Sequence, residues 1–392
     1  MSLSQAVAVA QRENPEIRAA QKNREAVKAR VSQAFTPDKP RLDVERMYAP
    51  RSGDLLTNAG EKNVAITQEL PFPTTLYWKG RLSRREADMA EASYRAKELE
   101  VLSRVKSAYA ALYLSRRAID TLEENTGFMR QFAKVAGSKY ASGKSSQGDV
   151  LKAQVELSKM LNMRVTVEQE EETSRALLNA LLNRPPESPL AIVEDIDPKP
   201  LDLKLEELRN LSADHRPELQ EAAAAVERGR AAVALGRSDY LPDLMLQYRQ
   251  RDVMNGVDSR DAVVGFSLPL WFWKQGAAVR EAKAERDMAE AEFKALQNMN
   301  GYDVKSLYVK AQTDYRLIEL YRTGVLPQAE EALRVSRAAY ESDKTDFLDL
   351  LDSVRSLRDF RLEHYQHIAD YLQSLAELER VAGTPLLQEE KP

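Results

Sequence analysis

Apolar residues recur at helical spacing along most of this chain, and only two short windows switch to strict alternation. A first helix is expected from Gln5 to about Ala34, capped by Ser4, with Ala6, Val7, Val9, Ile17, Val27 and Val31 on its apolar side. The cluster Thr36 to Pro40 stops it. The period then becomes two. Leu42, Val44, Met47 and Tyr48 stand among Asp43, Glu45 and Arg46, and Val64, Ile66 and Leu70 alternate with Ala65, Thr67 and Glu69. Alternation of this kind predicts a β-hairpin over about 41–70, with a polar loop holding Gly53, Asn58 and Gly60. After Leu70-Pro71-Phe72-Pro73 the helical stripe returns as Leu102, Val105, Tyr109, Leu112, Ile119 and Leu122. It predicts a helix from Lys79 to Lys139, roughly 90 Å long at about 1.5 Å per residue.

The stretch Tyr140 to Gln154, YASGKSSQGDVLKAQ, interrupts that run. Gly143 and Gly148 flank a polar segment, so one helix can end on a glycine and the next can be capped by Ser145 or Ser146. The stretch predicts a tight turn between two long antiparallel helices. The second helix runs from about Gln147 to Asn183 and is broken by Arg184 to Pro189; Leu190 to Pro200 is a linker.

The same order then recurs. Asn14-Pro15-Glu16-Ile17 has its counterpart in Arg216-Pro217-Glu218-Leu219, and Pro40 in Pro242. Alternating residues Leu244, Leu246 and Tyr248, then Ala262, Val264, Phe266 and Leu268, predict a second hairpin over about 243–268. Arg251 to Arg260 is its expected polar loop, with Asn255 and Gly256. The pentapeptide at 88–92 (DMAEA) returns at 287–291, and the tripeptide at 105–107 (VKS) at 304–306. The turn returns at Tyr340 to Val354, YESDKTDFLDLLDSV. The chain reads as a tandem duplication, 1–200 and 201–392, each half a helix, a β-hairpin and a long helical hairpin with its tip at 140–154 or 340–354.

Composition narrows the function classes. Charged residues make up 30% and aromatic residues 7%, which suits long amphipathic helices. A net charge of −4 without basic runs speaks against nucleic acid. No cysteine is present, so neither a thiol nucleophile nor a cysteine metal cluster is available. No stretch approaches a transmembrane helix, and Met1 to Asn14 lacks the apolar core of a signal peptide. His364 and His367 stand i, i+3 beside Glu363 and Asp370, a spacing that can hold a metal. Without an HExxH arrangement the expected role is a solvated helical face, with no metal and no cofactor. No phosphate-binding loop or nucleophile motif occurs, so no enzymatic activity is expected.

Four strands per chain leave two open edges, which closure with symmetry copies would remove. Three copies of four strands would give a 12-stranded barrel. One strand face is apolar (Leu42, Val44, Tyr48, Val64, Ile66, Leu244, Leu246, Tyr248, Val264, Phe266), the other polar (Asp43, Glu45, Thr67, Asp243, Gln247, Ser267). That is the pattern of a barrel with lipid outside and water inside. Tyr48, Phe72, Trp78, Tyr240, Trp271, Phe272 and Trp273 flank the strands, where interfacial aromatics belong. The alternative is a small soluble sheet covered by helices, in an α-helical coiled-coil scaffold that mediates protein contacts.

Taken together, the duplicated NPEI and RPEL helix starts, the hairpin exits QELPFP and FSLPLWFW and the two tips resemble the TolC-like family of outer-membrane efflux channels, over nearly the whole chain. LPFPTTLYWKGRLSRREADMA looks most like its heavy-metal-efflux branch. The resemblance implies a mainly α fold with a small β part: a homotrimer whose helical hairpins form a periplasmic α-helical barrel and whose β-hairpins form the 12-stranded barrel in outer-membrane lipid. It implies an exit duct that passively conducts metal ions or drugs from a periplasmic adaptor (a membrane fusion protein) and an inner-membrane transporter of the RND type. Carried over by position, the adaptor contacts fall on Ser142, Gly143, Lys144 and Ser145 of the first tip and on Ser342, Asp343 and Lys344 of the second. The closing gate falls on Asp149, Asp349 and Asp352, with Tyr340 as a hydrogen-bonding partner. Asp343 stands where the family usually has glycine, and Thr345 where some members have a basic tether; the N-terminal lipidated cysteine of many relatives is absent. In a trimer each Asp becomes a ring of three, which favours cations and raises the carboxylate pKa by mutual repulsion. Asp149 also fits a plain role near a helix N-terminus.

Overall fold

The computed structural model describes residues 1–47, 60–190, 195–253 and 256–386. Its helices are α1 (Leu3–Glu13), α2 (Pro15–Ala34), α3 (Pro73–Ala141), α4 (Gln147–Leu181), α5 (Leu205–His215), α6 (Pro217–Ser238), α7 (Phe272–Leu320), α8 (Leu326–Glu341) and α9 (Phe347–Ala382). Its strands are β1 (Arg41–Met47), β2 (Glu61–Leu70), β3 (Asp243–Val253) and β4 (Ser259–Ser267). Among the described residues no helix is long and apolar enough to cross a membrane.

The chain forms two compact units. One comprises residues 1–19, 95–216 and 298–392, the other 20–94 and 217–297. The expected single helix from Gln5 to Ala34 is in fact two, broken at Asn14. A residue before proline is pushed out of the α region, and Pro15 starts the next helix without needing an N–H partner. Asn14 is buried and uses its whole amide. Its Oδ1 accepts from the backbone N–H of Glu16 at 2.8 Å and of Ile17 at 3.3 Å; its Nδ2 donates to the Leu181 carbonyl at 2.8 Å. The pre-proline residue Arg216 is likewise buried and donates from Nη1 to Asn300 Oδ1 at 2.8 Å and to Asp303 Oδ2 at 3.1 Å. The N-cap of α1 is Ser2 rather than Ser4: Ser2 Oγ accepts from Gln5 N–H at 3.2 Å, and Gln5 Oε1 accepts from Ser2 N–H at 3.1 Å.

The first long helix begins at Pro73, earlier than the expected Lys79, because proline suits the first helical position. Between α7 and α8 the backbone widens into a π turn, Tyr321–Val325, just before Pro327. Proline lacks an N–H and crowds the carbonyl four residues back, which a wider turn relieves. At the matching place α3 carries Gly127 and stays continuous. The linker lies against the helices: Arg117 Nη2 meets Asp195 Oδ1 at 2.7 Å, and Tyr371 Oη donates to the Lys199 carbonyl at 2.7 Å.

The four strands form one antiparallel sheet in the order β1-β2-β3-β4. Pairing of β2 with β3 continues to Glu61↔Val253, so the loop expected over Arg251 to Arg260 is shorter: Arg251 and Arg260 both lie in strands. The register lines up Leu42, Ile66, Tyr248 and Ala262 in one row and Leu246 with Val264 in another. These side chains share the even-numbered face, which is largely open, with Leu42 63% and Phe266 65% exposed. The odd-numbered face holds Asp43, Glu45, Thr67, Gln247, Arg249 and Arg251; Gln247 Nε2 donates to Thr67 Oγ1 at 2.9 Å, and Arg251 Nε lies 3.1 Å from Glu61 Oε1. β1 and β4 each have one strand neighbour, leaving their outer edges unpaired by strands among the described residues. Trp271, Phe272 and Trp273 are exposed just past β4, while Trp78 is half-buried. Tyr48, Gly53, Asn58 and Asn255 lie outside the described residues.

Gly383 ends α9 at φ +74°, and a methyl group there would lie 2.3 Å from the His215 carbonyl oxygen. Replacing Gly383 by Ala should destabilise by about 1–3 kcal/mol or more through backbone strain and collision. Gly127→Ala, in a helix with nothing within 4 Å, should be neutral or stabilising by up to about 1 kcal/mol. Thermal denaturation of the two variants separates these outcomes.

Candidate functional site

The two hairpin tips end their first helices in the same way. Gly143 N–H donates to the Tyr140 carbonyl at 3.0 Å and Lys144 N–H to the Lys139 carbonyl at 2.8 Å. In the second tip Asp343 N–H donates to Tyr340 at 3.3 Å and Lys344 N–H to Ala339 at 2.9 Å. This pair of bonds closes a helix only when the residue after the cap is left-handed. Gly143 has φ +71° and Asp343 φ +58°. The second tip therefore keeps the turn that its missing glycine put in question, since Asp visits this region more readily than most side chains. Ser142 and Ser342 fold their hydroxyls back onto carbonyls of the last helical turn.

Asp343 also does what glycine cannot. Its Oδ1 accepts from Lys139 Nζ at 2.6 Å, and Lys144 Nζ stands 3.4 Å from Oδ2. Lys139 reaches the Tyr340 carbonyl as well and sits 4.2 Å from the centre of the Tyr340 ring. One carboxylate thus links the two tips. Hydrogen bonding from Lys139, with added help from Lys144, holds Asp343 below the ordinary carboxylate range.

The helices leaving the tips are also capped alike. Ser146, not Ser145, is the N-cap of α4: its Oγ accepts from Asp149 N–H at 3.2 Å, and Asp149 Oδ2 accepts from Ser146 N–H at 3.3 Å. Ser145 Oγ donates to the same carboxylate oxygen at 2.8 Å. In α9 Asp346 is the N-cap, bonded to Asp349 N–H at 3.0 Å, and the Thr345 hydroxyl donates to Asp349. Asp149 and Asp349 occupy equivalent first-turn positions, where a carboxylate is favoured by the helix dipole. Burial raises the pKa of Asp149, but hydrogen bonds from Ser145 and Ser146 outweigh it and hold the group low. Asp352 is exposed one turn further along.

Tyr340 is buried in an apolar cluster with Met129, Phe132, Met160, Phe347, Leu350 and Val354. Its hydroxyl makes no hydrogen bond of normal geometry among the described residues. Burial, then the charge of Asp149, pushes its pKa up, while the nearby Ser145 hydroxyl opposes the rise. Asp149 and Tyr340 are therefore close within one chain. Beneath them lies a charge cluster that the sequence did not single out. Glu156, 2% exposed, meets Arg355 and bonds Arg358 Nη1 at 3.1 Å. Burial acts to raise the pKa of Glu156, yet the two guanidinium groups bring it below the usual value. No local spacing marks this group, because its partners lie about 200 residues apart in the chain.

The sequence model for "outer membrane efflux protein" matches this chain twice, over residues 6–184 and 208–384. The chain belongs to the outer membrane efflux protein family. Family membership makes it an outer-membrane protein and sets aside the soluble scaffold. The same fold occurs in the VceC outer-membrane protein of Vibrio cholerae, with a TM-score of 0.83 at 16% identity over 98% of this chain and 97% of that one. The Campylobacter jejuni CmeC outer-membrane channel gives 0.83 at 16% identity, covering 99% and 87%. The open state of the Neisseria gonorrhoeae MtrE outer-membrane channel gives 0.81 at 17%, covering 100% and 91%. Protein CyaE of Bordetella pertussis is 26% identical over 172 residues, a match spanning 42% of this chain and 35% of CyaE.

Replacing Asp343 by Gly should keep the turn and remove only the links to Lys139 and Lys144, leaving the helix content unchanged. Asp343→Val places a branched side chain at φ +58° and should cost about 1–2 kcal/mol. The pKa of Asp343 is depressed in the folded chain, so its contribution is complete above the unfolded value of about 3.9 and is lost as pH falls through the lower folded value. Acid titration of the wild type against Asp343→Asn, followed by circular dichroism, should therefore show a difference above pH ~4 that vanishes in stronger acid.

Proposed function

We propose that this chain is the exit duct of a tripartite efflux system, built as a homotrimer in outer-membrane lipid. The observation that carries this reading is the sheet. One face exposes Leu42, Val44, Val64, Ile66, Leu246, Tyr248, Val264 and Phe266, and β1 and β4 have edges unpaired by strands among the described residues. A soluble scaffold would gain nothing from such a face, whereas a lipid-facing barrel needs it. Three copies of four strands closing edge to edge supply a 12-stranded barrel, which satisfies every strand edge. The exposed Trp271, Phe272 and Trp273 fit the membrane interface. Two family matches of similar length support a tandem repeat over 1–200 and 201–392.

In this reading the tips dock to a periplasmic adaptor, which joins the duct to an inner-membrane transporter of the RND type. Ser142, Gly143, Lys144 and Ser145 of the first tip and Ser342, Asp343 and Lys344 of the second make those contacts. Exposure of Lys144 and Lys344 on short, well-hydrogen-bonded turns supports the assignment. The gate consists of Asp149, Asp349 and Asp352, with Tyr340 packed behind. Hydroxyl and backbone bonds hold Asp149 and Asp349 at the first turns of α4 and α9, where threefold symmetry makes rings of charge. Such a duct performs no catalysis and needs no cofactor. Its metal-ion or drug cargo passes down a gradient set by the transporter.

Single-channel recording in planar bilayers tests the gate. Joint replacement of Asp149, Asp349 and Asp352 by Ala should raise conductance severalfold and reduce cation preference. Unchanged currents would remove these residues from the gate. Recovery of the untreated protein in the soluble fraction, without detergent, would sink the duct itself.

A further inference from the structure

Away from the tips, α7 and α9 bring Asp314 next to His367 and Asp370, two neighbours on α9 from which it is distant in the chain. Donor atoms of Asp314, His367 and Asp370 all lie within 4.8 Å of one another. Asp314 is 7% exposed, and its Oδ2 has no hydrogen-bond partner among the described residues. The Ser374 hydroxyl, on α9 and 2% exposed, also lacks a hydrogen-bond partner among the described residues. Nδ1 of His367 is likewise buried and has no hydrogen-bond partner among the described residues. Asp370 Oδ1 accepts from Gln366 Nε2 at 3.1 Å, which orients that carboxylate.

A buried carboxylate beside a second carboxylate is electrostatically unfavourable unless a cation joins them. The donors are one imidazole nitrogen and two carboxylate oxygens. That set suits zinc and similar divalent first-row ions, and lacks the soft sulfur that selects Cu(I). In a tetrahedral zinc site, bonds of about 2.0–2.2 Å place donors roughly 3.4 Å apart, so side-chain rotation would have to draw the set in by up to about 1.4 Å. A fourth position is left for water.

We propose that Asp314, His367 and Asp370 form a divalent transition-metal site that staples α7 to α9 next to the π turn at Tyr321–Val325. The tyrosine that opens this turn is already tied to the site: its ring centre lies 5.4 Å from that of His367, and its hydroxyl donates to Glu363. A cation here locks the helix pair beside the place where α7 departs from regular winding. The site does not depend on the duct reading, since it needs only these two helices. Local spacing pairs His367 with His364, whereas Asp314 lies 53 positions before His367 and comes near only through packing.

The full chain, purified in detergent and stripped with a chelator, should bind one zinc per chain in isothermal titration. Cobalt should give a visible d–d absorption band on binding. Asp314→Asn and His367→Gln should each weaken zinc binding by more than the roughly 10–100-fold typical of outer-shell changes, and should abolish the band. Glu187→Gln, distant in sequence, should leave both readouts unchanged. Far-UV circular dichroism of each variant checks folding; if Asp314→Asn fails to fold, the half-buried His367 carries the test. Absence of zinc binding in the parent, or equal affinity in folded His367→Gln, overturns the site.

Discussion

Backbone hydrogen bonding at the edges of the sheet is the constraint on which the rest depends. Four antiparallel strands satisfy their inner ladders, but the outer sides of β1 and β4 find no strand within the chain among the described residues. Water could solvate those edges, yet the adjoining face is apolar and open. In lipid both conditions are met at once only by a closed barrel, because no solvent is there to bond a free edge. Four strands are too few to close alone, so the proposed trimer follows from the backbone as much as from any side chain.

The helical part follows a different requirement, which is to turn round sharply and identically at two places. Both tips do so by placing one residue in the left-handed region and by capping the next helix at once. Gly143 achieves this without a side chain. Asp343 achieves it with one, and its carboxylate then gathers Lys139 and Lys144. The departure from glycine thus ties the tips together instead of distorting the second. Deeper in, Glu156 with Arg355 and Arg358 joins the two hairpins again through a buried ion cluster. Such a cluster specifies pairing better than it adds stability, since desolvation offsets much of its attraction.

The family relationship deepens this picture without replacing it. Matches at 16–17% identity to solved channels establish a shared fold, while side-chain chemistry at the tips is this chain's own. Local hydrogen bonds account for Asp149 and Asp349 as caps, and symmetry would turn the same residues into rings. The proposed gate and the capping role do not compete, because a carboxylate pinned by its own helix start stays in a fixed place.

Periodicity alone determined which segments are helices and which are strands, because side-chain spacing of 3.6 or 2 residues is imposed by local geometry. It also determined the alternation of the sheet faces, while turn residues and the internal repeat marked the two tips. Proline-linked details were less legible: the break at Asn14 and the π turn before Pro327 depend on how one ring meets the carbonyls behind it. What only the tertiary structure decided involves partners remote in the chain. Lys139 with Asp343, Glu156 with Arg358, and Asp314 with His367 each require that helices distant in sequence lie side by side. No spacing rule reports such neighbours, since burial and charge balance act on groups that packing alone brings within reach.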